Sequence, residues 1–130
     1  MLTDAINIKD AFIINMSIDF EISVLSNYNS NEVLLKCINE VKQYFDIDKW
    51  QINQPIVKST IQNLIGNVAG VLSVVNISFK NKFDSDLGYS GNAYDLASAT
   101  RNGVIYPSLD PSIFEVKFPN QDIRGRVVSS

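Results

Sequence analysis

Phe12-Ile13-Ile14-Asn15-Met16-Ser17-Ile18-Asp19-Phe20-Glu21-Ile22-Ser23-Val24 carries an apolar residue at every even position and, Ile13 excepted, a polar one at every odd position. Successive side chains of a strand point to opposite faces, so this period of two predicts one long strand. Its even face must cover a core. Its odd face, with Asn15, Ser17, Asp19, Glu21 and Ser23, must meet water or a polar partner. No residue type in the run suggests chemistry, and it reads as framework.

Downstream, Ser26 to Asn31 is a polar turn cluster, and Asn29 followed by Glu32 predicts a capping box opening a helix from about Ser30 to Phe45. Leu34, Ile38, Val41 and Phe45 recur at one-face spacing, with Leu35 and Cys37 widening the stripe. Trp50 to Pro55 predicts an extended connector, because Pro55 biases Gln54 away from the helical region, and Trp50 is placed to close one end of the core. A second helix follows, from near Ile56 or Ser59 to Val68, on the stripe Ile61, Leu64, Ile65 and Val68. Ser59 with Gln62 supplies a capping box and Gly70 a left-handed C-cap.

Val71 to Phe79 is the second strong strand, with Val71, Val75, Ile77 and Phe79 on one face. Leu72 and Val74 make its first half apolar on both sides, which predicts a central or covered segment. The order strand, helix, helix, strand predicts an α+β fold, a two-layer sandwich with both helices on one face of a small sheet. From Asn81 to about Pro111 the period disappears among Asn, Asp, Ser and Gly. A connection of that length without periodicity is unusual inside a compact domain. Its rings, Phe83, Tyr89, Tyr94 and Tyr106, predict an arm lying on a partner or on its own domain, and a removable one, whose loss leaves the core folded. Phe114, Val116 and Phe118 then alternate as a short strand, Pro119-Asn120 is a turn, and Ile123 to Val128 is a last extended piece.

The 130 residues fit a single domain over 1–130, with a core over about 10–80, the arm over about 81–111 and C-terminal strands over about 112–129. A net charge of -3 without a basic cluster argues against a nucleic-acid partner. No apolar run is long enough for a membrane span, and the first ten residues lack the apolar stretch of a secretory signal. There is no histidine, and Cys37 is the single cysteine, which removes an internal disulfide, the commonest metal ligand and the commonest general base. Cys37 sits in the apolar helical stripe and reads as a small buried hydrophobe. Asp46, Asp48, Asp84, Asp86 and Asp110 do not follow an EF-hand spacing, so no metal or cofactor is expected.

Asp19 and Glu21 share a strand face, and with Asp110 they support an alternative, a small carboxylate-based hydrolase, because paired carboxylates run glycoside hydrolysis without histidine. A ligand-binding module with the arm as a lid is a further alternative. Both require a pocket, whereas an interaction module requires an exposed patch. On the interaction reading no catalytic residue is expected, and the candidate partner-facing residues are Phe83, Tyr89, Tyr94, Tyr106, Arg124 and Arg126.

Several segments in their order carry a family resemblance: Ile18-Asp19-Phe20-Glu21-Ile22, Asn31-Glu32-Val33-Leu34, Tyr44-Phe45, Trp50-Gln51-Ile52-Asn53-Gln54-Pro55-Ile56, Gly70-Val71-Leu72-Ser73-Val74, Tyr106-Pro107-Ser108-Leu109-Asp110-Pro111-Ser112-Ile113-Phe114-Glu115 and Asp122-Ile123-Arg124-Gly125. Together they resemble the C-terminal domain of a baseplate wedge protein of contractile-tailed phages of the T-even and cyanophage type, within the wider baseplate J-like family. The resemblance covers nearly the whole chain. It implies a fragment of a longer protein, with Met1 supplied as a start codon. It also implies a structural strut of the virion tail baseplate, assembled in the bacterial host cytoplasm. Its implied partners are a second copy of itself, as a homodimer within a larger ring, and other baseplate wedge proteins.

Overall fold

The computed structural model describes residues 12–108 and 111–129. The strand β1 spans Phe12–Val24 and is the centre of the main sheet. It is followed by α1 (Ser30–Tyr44), β2 (Ile56–Val57), α2 (Lys58–Gly66) and β3 (Val71–Asn81). Then come a 3-10 turn (Ser85–Leu87), α3 (Leu96–Ala99), β4 (Thr100–Arg101), β5 (Val104–Ile105), β6 (Ser112–Glu115), α4 (Pro119–Asp122) and β7 (Ile123–Val127). The fold is α+β, with helices packed on a mixed sheet.

One edge of β1 pairs antiparallel with β3, from Met16 opposite Asn81 to Val24 opposite Val71. The other edge pairs in parallel with two pieces in succession. Phe12 to Asn15 lie beside β6, and Ile18 to Ile22 lie beside β7. The one-turn helix α4 steps the chain from the first piece to the second. The even face of β1 is the floor of the core: Ile14, Met16, Ile18, Phe20 and Ile22 are all buried. Above it α1 crosses β7, α2 crosses β3, and the two helices touch.

Asn29 caps α1, its side-chain oxygen accepting the Glu32 N–H at 3.1 Å, as the polar cluster predicted. The buried stripe is Val33, Cys37 and Val41, displaced from the expected one, and Leu35 is exposed. The sheet decides which of several adjacent apolar positions is innermost, since the helical period alone leaves a wide stripe. Trp50 does close one end of the core, stacked edge-on to Tyr44 at 5.2 Å and tilted against Phe45 at 5.3 Å. The connector is held by Asn53, whose backbone is left-handed (φ 63°). Its N–H donates to the Ser112 carbonyl at 2.7 Å and its side-chain oxygen accepts the Ser112 N–H at 3.0 Å.

Helix α2 starts earlier than the Ser59 capping box implied. Val57 is its N-cap, without a side-chain cap, because the preceding residues are drawn into β2. Gly70 has the expected positive φ (98°) but stands in the turn after the helix rather than on its end. A Cβ there would come within 2.7 Å of both Tyr28 and Val33.

Two expectations are overturned. The first half of the Val71 to Phe79 strand is not a central or covered segment: among the described residues β3 lies at the sheet edge, and Leu72 (53% exposed) and Val75 (51%) face solvent. Both are the extra residues of register shifts, where β1 moves from Glu21 to Ile22 and from Ser23 to Val24. The odd face of β1 meets polar partners as well as water, as the alternation required: buried Asn15 is bonded to Glu115 and Ser90 and buried Ser23 to Ser73, while the buried Ser17 hydroxyl has no partner among the described residues. Second, the segment from Asn81 onward is neither irregular nor dispensable. Its β5 pairs with β2 and β4 in a small antiparallel sheet, and Tyr89, Leu96 and Ile105 are buried. Excising Phe83 to Tyr106 would remove part of the core. Its rings were legible as a sign of order, but the pairing partner, the two-residue β2, has no periodicity to announce it.

Candidate interaction surface

The arm folds onto its own domain where β3 ends. Ser90 Oγ and Asn92 Nδ2 both donate to the Ile13 carbonyl at 2.8 Å, taking over the β1 edge that β3 has left. Asn15 Oδ1 accepts the Ser90 N–H at 2.7 Å, and Asn15 Nδ2 donates to Glu115 Oε1 at 2.6 Å. Further along, Tyr94 N–H donates to Asn81 Oδ1 at 2.8 Å, and Tyr94 OH donates to the Tyr106 carbonyl at 2.6 Å.

This arrangement separates the partner-facing candidates. Tyr89 is 5% exposed, edge-on to Phe118 at 5.3 Å, with its hydroxyl donating to the buried Asp122 carboxylate at 2.6 Å. Burial first, and then that carboxylate, push its pKa up to about 12. Its ring is therefore spent inside the chain. Tyr94 is half-buried against Phe114, whereas Phe83 and Tyr106 are exposed. Arg124 and Arg126 stand on the face of β7 that continues the odd face of β1, where Arg124 Nε meets Asp19 Oδ1 at 3.1 Å and Arg126 pairs with Glu21. Gly125 between them faces the core, and a Cβ there would overlap the Phe20 ring. Rings and arginines do not form one patch: the arm carries the first and the outer strand the second.

The carboxylates proposed for hydrolysis share a face as the period required, yet each is matched by an arginine on an open sheet. Asp110 lies outside the described residues. Among the described residues no group of three His, Cys, Asp or Glu is placed to hold a metal, and no helix is long and apolar enough to cross a membrane. An open groove of about 650 Å³ runs between α1 and α2, past Lys36, Glu40, Leu64 and Val68. Another, of about 400 Å³, lies between Tyr94, Arg101, Tyr106 and Pro107. A third, of about 230 Å³, follows the edge of β3 past Ile77, Phe79, Leu96 and Ile105. Neither Asp19 nor Glu21 lines any of them.

The outer edge of β3 is the surface that the sequence concealed. Lys82 N–H donates to the Asn15 carbonyl at 2.8 Å, so Asn15 and its odd-numbered successors on β1 hold the inward hydrogen bonds of this ladder. By alternation the N–H and C=O of Ile77 and Phe79 point away from β1, and no described strand pairs with them. The missed signal was Lys80 at the end of the run, since a charged residue is a common mark of an edge. No model of a known protein family matches the chain, and no curated protein matches it.

Proposed function

We infer that this chain is a structural protein–protein interaction module that associates with copies of itself and with neighbouring subunits. The resemblance of its sequence segments supports placing that module in the tail baseplate wedge of a contractile-tailed phage. The observation that carries the interaction reading is the outer edge of β3, an eleven-residue strand whose outward main-chain groups no described strand pairs, with two solvent-facing apolar side chains, Leu72 and Val75. Such an edge is a template for another strand. The arm supplies Phe83 and Tyr106 as further exposed rings. Two-fold pairing is the simplest closed assembly for such a module.

The test is the solution mass of the full chain by light scattering across a dilution series. A dimer or larger assembly that dissociates on dilution is the expected result. A strict monomer at every concentration would remove the self-association from this reading. Neighbouring wedge subunits would then have to supply every contact.

A further inference from the structure

We propose that two copies of this chain pair β3 with β3 antiparallel about a two-fold axis at Ser78, joining their sheets into one. This deepens the self-association reading and rests on it. The edge groups that no described strand pairs are peptide N–H and C=O, whose full complement is another strand. The first half of β3 is a poor template, because the extra residues Leu72 and Val75 break its register. From Asn76 to Asn81 the register with β1 is unbroken.

Within that regular half the register is self-complementary. Centring the axis on Ser78 sets Ile77 of one copy opposite Phe79 of the other, and Phe79 opposite Ile77. These are the residues whose main-chain groups point outward, so the two pairs exchange four hydrogen bonds. Lys80, the only charged residue of β3, then faces Asn76 rather than a second lysine. The groove lined by Lys58, Ile77, Phe79, Leu96 and Ile105 lies beside this edge, and the axis sets the grooves of both copies on the same side of the paired strands. A second copy therefore matches the edge in hydrogen bonding, and the pairing sets no two Lys80 side chains opposite each other.

Two variants of the full chain test the axis. Ser78 pairs with Asp19 of its own β1, so in Ser78→Lys the new cation is favourable within one copy and faces a like charge across the axis. The expected result is at least a tenfold weaker dimer by light scattering, with the unfolding midpoint, measured at a dilution where both proteins are monomeric, unchanged or raised. In Ser78→Cys the two thiols meet at a non-hydrogen-bonded pair, where Cα atoms stand about 4.5 Å apart and a disulfide fits. Mild oxidation should therefore give a covalent dimer. Lys80→Cys should not cross-link, because its two copies would lie about 13 Å apart along the strands. A dimer that persists in Ser78→Lys, with no cross-link in Ser78→Cys, overturns the axis and leaves self-association standing. A wild-type monomer with no cross-link overturns both.

Discussion

Asn15, near the start of the strand that organises the sheet, is fully buried, and its side-chain oxygen holds the backbone N–H of Ser90 from a segment 75 residues away. The same amide donates to Glu115 at 2.6 Å. One polar side chain on the nominally wet face of β1 thus ties the arm and β6 to the centre of the sheet. Replacing Asn15 by Ala leaves the Ser90 N–H without its side-chain partner. The expected loss is about 1–3 kcal/mol by denaturant unfolding, with faster hydrogen exchange at Ser90. Unchanged exchange there would mean that the arm is held by its other contacts alone.

Gly125 sits opposite Phe20 in the β1–β7 ladder, and its missing side chain is the slot for that ring. An added Cβ would stand 2.6 Å from Phe20 Cε2 and 2.9 Å from Leu34 Cδ1, besides overlapping Phe20 Cζ. Gly125→Ala should cost about 1–3 kcal/mol through forced repacking, read as a lower urea midpoint. A neutral result would show that β7 can shift outward freely.

Tyr89 is raised to about 12 from an ordinary value near 10, chiefly by burial. The folded state thus holds the phenol proton more tightly than the unfolded chain. Its contribution is fully present below pH 10 and is lost as pH rises towards 12. Stability of the wild type should fall across that window more steeply than stability of Tyr89→Phe. At neutral pH Tyr89→Phe should be destabilised by about 1–3 kcal/mol, because the buried Asp122 loses its donor. Parallel pH profiles for the two proteins would remove Tyr89 from the linkage.

Cys37 has no exposed surface, and burial, aided by nearby Glu40, pushes its thiol up to about 11. The thiolate is the reactive form, so at pH 8 an aromatic disulfide reagent should label native protein at least a hundredfold more slowly than urea-unfolded protein. Rapid native labelling would show that α1 opens locally.

Much of this fold was legible because much of it is local. The even positions of β1 announced a floor, Asn29 and Glu32 announced the start of α1, and the ring of Trp50 announced a core boundary. Asp19 and Glu21 were legible as neighbours on one face, but not as partners of Arg124 and Arg126, because that needs the parallel register of β7. Among the candidate rings, the sequence could not separate buried Tyr89 from exposed Phe83, since both stand in similar polar surroundings. Their difference comes from Asp122 and Phe118, some thirty residues further on.

Alternation along β1, helical spacing along α1 and α2, and the turn chemistry between them belong to the chain itself: each acts over a few residues, where backbone geometry alone selects the faces. These determined the two-layer α+β arrangement. Tertiary structure alone decided that β3 is an edge, that Leu72 and Val75 turn outward, and that the arm completes the core. Each of those depends on which distant strand receives a backbone hydrogen bond. Every peptide carries the same donor and acceptor, so composition cannot encode the partner, and only the folded register assigns it.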